Sequence, residues 1–128
     1  MRNKKGFTLS ELLIVVAIIG VLVAISIPIF TSQLHKAEVA TDWANVRAYY
    51  AEIQADYIST GKYNDKVPNI WGHPTGNPIS YDSITFLDGK VVPMKAGKCM
   101  VGYDKEHGYS VTYTCNKDGK CTLTLSNK

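Results

Sequence analysis

The stretch Lys4-Lys5-Gly6-Phe7-Thr8-Leu9-Ser10-Glu11-Leu12-Leu13 runs into LLIVVAIIGVLVAISIPIF, Leu12 to Phe30, nineteen residues without a charge. As a helix these residues span about 28 Å, close to the thickness of a bilayer core. Two readings come first. A cleaved secretory signal would explain the basic start, the apolar run and the small-x-small pattern Ala24-Ile25-Ser26. A plain membrane anchor would explain the length. Neither explains Glu11, an acid at the apolar boundary, where a carboxylate is costly unless paired and functional by default.

The rest of the chain bounds what the segment serves. At 128 residues there is room for one domain, and with the apolar run set aside its core is thin. Three of the fourteen basic residues, Arg2, Lys4 and Lys5, precede the apolar run, so a chain starting at Phe7 has eleven basic residues against eleven acidic. The basic excess therefore holds the N-terminus in the cytoplasm. Without a basic stripe interleaved with aromatics, nucleic acid is not an expected direct partner.

After Phe30 the pattern turns amphipathic. Val39, Trp43, Val46, Tyr50, Ile53 and Tyr57 form one apolar stripe at spacings of four and three, with Arg47, Glu52 and Asp56 off it. Gly61 offers a C-terminus, so the helix is expected from Phe7 to Thr60. Gly20 weakens it and Pro28, lacking an amide hydrogen, breaks or kinks it. Residues 61–80 read as a loop, rich in Pro, Gly and Asn, with Trp71 more suited to tucking onto its own domain than to anchoring an interface. Antiparallel strands are expected at 81–87, 90–93, 98–104, 109–115 and 120–126, parted by Asp88-Gly89, Lys105–Gly108 and Asn116–Gly119. Alternation puts Cys99, Val101 and Tyr103, then Tyr109, Val111, Tyr113 and Cys115, then Cys121, Leu123 and Leu125, on one buried face.

Three cysteines outside the membrane imply one disulfide and one free thiol. A tight Lys117-Asp118-Gly119 turn sets Cys115 opposite Cys121 and Tyr113 opposite Leu123, which favours Cys115–Cys121 and leaves Cys99 buried and free. Cys99–Cys115 is the alternative.

The motif from Lys4 to Leu13 resembles the processing site of type IV prepilins and type II secretion pseudopilins: a short basic leader ending in Gly, then Phe, Thr, Leu, one more residue and Glu, then an apolar helix. Gly20 and Pro28 match the family; Ser10 departs from it, an aliphatic residue being usual there. The resemblance implies an α+β ladle, a long N-terminal helix packed on a small antiparallel sheet. Its parts would be a cleaved leader 1–6, a transmembrane and filament-core helix 7–30, an amphipathic helix 31–60, an αβ loop 61–80 and a cysteine-bearing sheet 81–128. It implies cleavage between Gly6 and Phe7 by a prepilin peptidase and N-methylation of Phe7. It also implies pairing of the new amine, of the same chain or of a neighbour, with Glu11 during assembly, and loss of helix between Gly20 and Pro28 in the filament. Gly6, without a side chain, lets a protease approach the backbone. Glu11, four residues after Phe7, shares its helix face.

The expected function is a structural subunit of an extracellular pilus-like filament, with self, the peptidase, a membrane assembly platform and minor pilins as partners. It waits in the cytoplasmic membrane before assembly and lies on the cell surface afterwards. The alternative is a pseudopilin of a type II secretion or competence DNA-uptake system. Thr60-Gly61-Lys62-Tyr63 is similar to pseudopilins; the C-terminal cysteines are similar to pilins, where a disulfide there is common. A rival from another class is an anchored or secreted binding domain that never polymerises. No catalytic constellation, phosphate-binding loop or CxxC stands in the sequence, so no enzyme activity, catalytic residue or cofactor is expected. His35, His73 and His107 lack metal-ligand spacing and read as surface residues. Asp104, Glu106 and Asn116–Gly119 resemble calcium-holding turns of some pseudopilins without completing an EF-hand loop, so no metal is expected.

Overall fold

Leu, Val, Ile and Ala dominate the chain from Leu9 onward, and the whole of Leu9–Thr60 forms one helix, α1. The computed structural model describes residues 6, 8–68, 80–116 and 120–127. Phe7, Trp71, His73 and the Lys117–Gly119 turn therefore lie outside the described residues. The chain divides into two units, Met1–His35 and Lys36–Lys128.

In the first unit the large apolar side chains from Leu12 to Phe30 are each 47–68% exposed, on every side of the helix. The few hydroxyls here fold back on the helix itself: Ser26 Oγ donates to the Leu22 carbonyl at 2.6 Å and Thr31 Oγ1 to that of Ile27 at 2.9 Å. The helix runs without interruption through Gly20 and Pro28. The proline takes one donor from a long ladder, and the turns on either side remain helical.

In the second unit the amphipathic part of α1 packs on two small antiparallel sheets. β1 (Ser83–Thr85) pairs with β2 (Val91–Pro93). β3 (Gly97–Asp104), β4 (Gly108–Cys115) and β5 (Leu123–Leu125) form the second sheet in that order. One sheet was the expectation; a lone bridge between Tyr81 and Cys99 is what joins the two. The expected strand at 81–87 shortens to three residues. After that bridge the ladder stops, and the Asp82 carbonyl instead accepts from Met94 N–H at 2.7 Å.

The inward faces of the strands bury Ile84, Cys99, Val101, Tyr109, Val111 and Tyr113 against Val39, Val46, Tyr49 and Ile53 of α1. Each fully buried Val or Ile contributes about 1.5–3 kcal/mol. The helix stripe is rotated from the expected one. Its deepest positions are Val39, Asp42, Val46, Tyr49, Ile53 and Gln54. Trp43, Tyr50 and Tyr57 flank them, half-buried. Tyr49 is the one ring of the helix that is fully buried, among the described residues. The loop after α1 also differs from a wholly surface connection, because Val67 belongs to the core. It is held by Asn64 N–H donating to the Tyr109 hydroxyl at 2.8 Å and by the Tyr63 hydroxyl donating to the Val67 carbonyl.

Polar side chains of α1 secure the backbone between strands. Asp42, fully buried, accepts from Lys95 N–H and Ala96 N–H, both at 2.8 Å, and from the Tyr113 hydroxyl at 2.7 Å. Glu52 accepts from Leu87 N–H at 3.2 Å. Gln54 clamps the β3–β4 turn, accepting from Tyr109 N–H at 2.9 Å and donating to the His107 carbonyl at 3.0 Å. Between those two contacts sits Gly108, with φ +86°, where a Cβ would lie 2.7 Å from Gln54 Oε1. Both the conformation and the close approach call for glycine.

Candidate assembly site at the helix N-terminus

Helix α1 begins one residue after Thr8, and the start is built by side chains. Thr8 N–H donates to Glu11 Oε2 at 3.0 Å, and Glu11 N–H donates to Thr8 Oγ1 at 3.3 Å. This reciprocal pair is a capping box, which satisfies two backbone donors that a helix start leaves unpaired. Ser10 adds to it, its Oγ lying 3.2 Å from Thr8 Oγ1. The Glu11 carboxylate also sits at the positive end of the helix dipole. Glu11 thus has an intramolecular partner before any assembly. The Thr-x-x-Glu spacing carries the sequence signal for this cap.

Upstream of the cap, Gly6 is exposed, and a Cβ placed on it would meet nothing within 4 Å. Phe7 lies outside the described residues, so only Gly6 and Glu11 of the expected processing and assembly residues are placed. Gly20 and Pro28 lie within continuous helix, far along the chain from the cap.

The cysteines lie in the second unit. Cys115 and Cys121 form a disulfide with Cα atoms 5.7 Å apart, and Cys99 is a buried free thiol. The β4–β5 register sets Tyr113 opposite Leu123. Burial pushes the Cys99 thiol up to about 12. The disulfide loop is tied to α1, because Trp43 Nε1–H donates to the Cys121 carbonyl at 3.2 Å. Arg47 lies over the same indole, 5.6 Å from its centroid. Tyr113 is also raised well above the usual phenol range, first by burial and then by its hydrogen bond to Asp42. At the far end of the sheet Tyr57, Tyr63, Tyr103 and Tyr109 pack ring to ring at 5.0–6.1 Å. His107, expected as a lone surface residue, is half-buried and engages Asp104 at 3.1 Å.

Residues 1–27 match the family described as the prokaryotic N-terminal methylation motif. The chain is 35% identical over 127 residues to the type IV narrow pilus major component PilA5 of Thermus thermophilus, covering 95% of this chain and 94% of that one. It is 36% identical over 126 residues to a fimbrial protein of Pseudomonas aeruginosa, covering 98% of this chain and 70% of that protein. With the type IV major pilin protein PilA of Myxococcus xanthus it shares 37% identity over 80 residues, 62% of this chain and 36% of that one. No solved structure matches it significantly.

Proposed function

Because this chain belongs to the type IV pilin family, we propose that it is a repeating structural subunit of an extracellular pilus-like filament, inserted in the membrane as a prepilin and polymerised through the first half of α1. The observation that carries this reading is the apolar surface from Leu12 to Phe30, exposed all round the helix. Such a surface needs lipid before assembly and other helices afterwards.

In this reading a prepilin peptidase cuts between Gly6 and Phe7 and methylates the Phe7 amine, which stays a cation. The amine pairs with Glu11 of a neighbouring subunit in the dry filament core. A mismatched stack would leave two buried charges unpaired, so the pair sets axial register. The segment from Gly20 to Pro28 unwinds on assembly and gives the filament its extensibility. A membrane assembly platform and minor pilins serve as further partners. The pilin reading is preferred to a pseudopilin because the relatives above are named as pilus or fimbrial proteins, and because of the Cys115–Cys121 disulfide.

The test uses the source organism. Sheared surface filaments are probed by electron microscopy with antibody to residues 31–128, and the subunit mass is measured. A chain starting at Phe7 and one methyl heavier than its sequence, in labelled filaments, is expected. A chain starting at Ile27, or one held wholly in the membrane without filaments, would overturn the reading.

A further inference from the structure

Three cysteines permit more than one choice of disulfide pairing, and the folded subunit holds Cys115–Cys121 with Cys99 as a thiol. The register of β3 on β4 brings that thiol near the bond. Gly97 lies opposite Cys115 and Cys99 opposite Tyr113. These four inward-facing positions form a quadrilateral, with Cys99 and Cys115 at the ends of one diagonal. Diagonal neighbours on adjacent strands are about 7–8 Å apart, so bridging them takes a shift of the strand backbone. Exchange between them balances without any outside oxidant or reductant. The Cys99 thiolate attacks Cys115 Sγ, a Cys99–Cys115 bond forms, and the Cys115–Cys121 bond breaks. Cys121 leaves as a thiolate and takes up the proton that Cys99 released.

The other diagonal is filled. A Cβ built on Gly97 would lie 2.6 Å from both Cζ and the hydroxyl oxygen of Tyr113, so the phenol end of that ring lies over the glycine. Its hydroxyl donates to Asp42 Oδ2 at 2.7 Å, and the same oxygen accepts from Ala96 N–H at 2.8 Å, next to Gly97 in the chain. The diagonals of a quadrilateral cross. A ring running from position 113 to position 97 therefore stands across the path from Cys99 to Cys115.

We propose that Gly97, Tyr113 and Asp42 form a kinetic lock on disulfide choice: the anchored Tyr113 ring keeps the Cys99 thiol from the Cys115–Cys121 bond, so that exchange needs the sheet to open. Gly97 leaves room for the ring, and Asp42 holds it there from α1. Burial of Cys99 works in the same direction by keeping the nucleophilic thiolate scarce. The consequence is directional. A subunit that has folded keeps its pairing, while one whose sheet opens can pass to Cys99–Cys115 and lose the tie at Cys121.

The full-length protein in detergent tests this. Wild type, Tyr113→Val, Tyr113→Phe and a Cys99→Ser control are incubated in mildly alkaline buffer without added thiol. Samples are quenched in acid, alkylated under denaturing conditions and peptide-mapped, with circular dichroism confirming the fold. Wild type should keep Cys115–Cys121, and Tyr113→Val should accumulate Cys99–Cys115 faster on the order of tenfold or more. Tyr113→Phe, which keeps the ring but frees it from Asp42, should fall between, and decides alone if Tyr113→Val does not fold. Cys99→Ser should show no exchange in any background. Val46→Ala, which loosens the core on α1, serves as a comparison at matched melting temperature. Folded Tyr113 variants exchanging as slowly as wild type would overturn the lock. Exchange in Val46→Ala as fast as in Tyr113→Phe would overturn it too, since general loosening would then explain the effect.

Discussion

Glu11→Gln and Glu11→Val separate the capping role of one carboxylate from the charge pairing proposed for it. A glutamine side-chain oxygen can accept from Thr8 N–H as Glu11 Oε2 does at 3.0 Å, and its backbone N–H still faces Thr8 Oγ1. Capping boxes use Glu or Gln alike. Gln therefore keeps the capping box and loses the charge, whereas Val keeps only the backbone half to Thr8 Oγ1 and loses the side-chain half and the charge. Losing that hydrogen bond costs about 1 kcal/mol, roughly fivefold in the equilibrium of the first turn. That frays the start of a 52-residue helix without unfolding it. Leaving a neighbour's amine unpaired in a dry core costs about 3–5 kcal/mol, a factor of roughly a hundred to several thousand in subunit affinity. Both variants should thus insert and fold, and both should be nearly absent from sheared filaments. Only Glu11→Val should also speed amide exchange at Leu12, whose N–H donates to the Thr8 carbonyl. The assay compares membrane-pool and filament protein in the source organism, with hydrogen exchange on the pool. Filaments of Glu11→Gln at wild-type yield would refute the charge pairing and leave capping as the residue's role.

Asp42→Ala removes the acceptor of two buried donors, Ala96 N–H and the Tyr113 hydroxyl, at about 1–3 kcal/mol each. Its melting temperature, followed by near-ultraviolet circular dichroism, should fall by about 10 °C or more. The double change Cys115→Ser with Cys121→Ser opens a loop whose ends are six residues apart and should cost about 2 kcal/mol in urea unfolding, with membrane insertion unchanged. Raising the pH should also destabilise the subunit. The unfolded Cys99 thiol ionises from pH 9, while the folded one holds its proton to about 12, so this contribution is intact below 9 and is lost between the two. Tyr49 and Tyr113, raised mainly by burial, steepen the loss, and Cys99→Ala should flatten it in urea titrations across that range.

Periodicity made much of this fold legible. An uncharged run and a strict two-residue alternation are both set by burial, and burial is what hydrophobic pattern records. Thus the helix end at Thr60, the inward rows of β3 and β4, and the facing of Tyr113 and Leu123 could all be read from the chain. Asp42 could not. A carboxylate at a core position reads as a surface residue until its donors are known, and those come from residues more than fifty positions away. The same holds for Gln54. Val67 was hidden by its loop context, and the division into two sheets by a single bridge that no pattern encodes. At the helix start the cap was written in the sequence as Thr-x-x-Glu.

The apolar half of α1 has an energetic consequence of its own. Lipid tails and neighbouring helices are about equally apolar, so moving Leu12–Phe30 from one to the other changes little hydrophobic free energy. Its exposed apolar surface makes this segment unwelcome in water but indifferent between bilayer and filament. On the proposed function the bilayer is then a reservoir nearly level with the polymer, and direction is left to small, specific terms such as close packing and the proposed charge pair. A subunit poised this way passes from membrane to filament without ever meeting water.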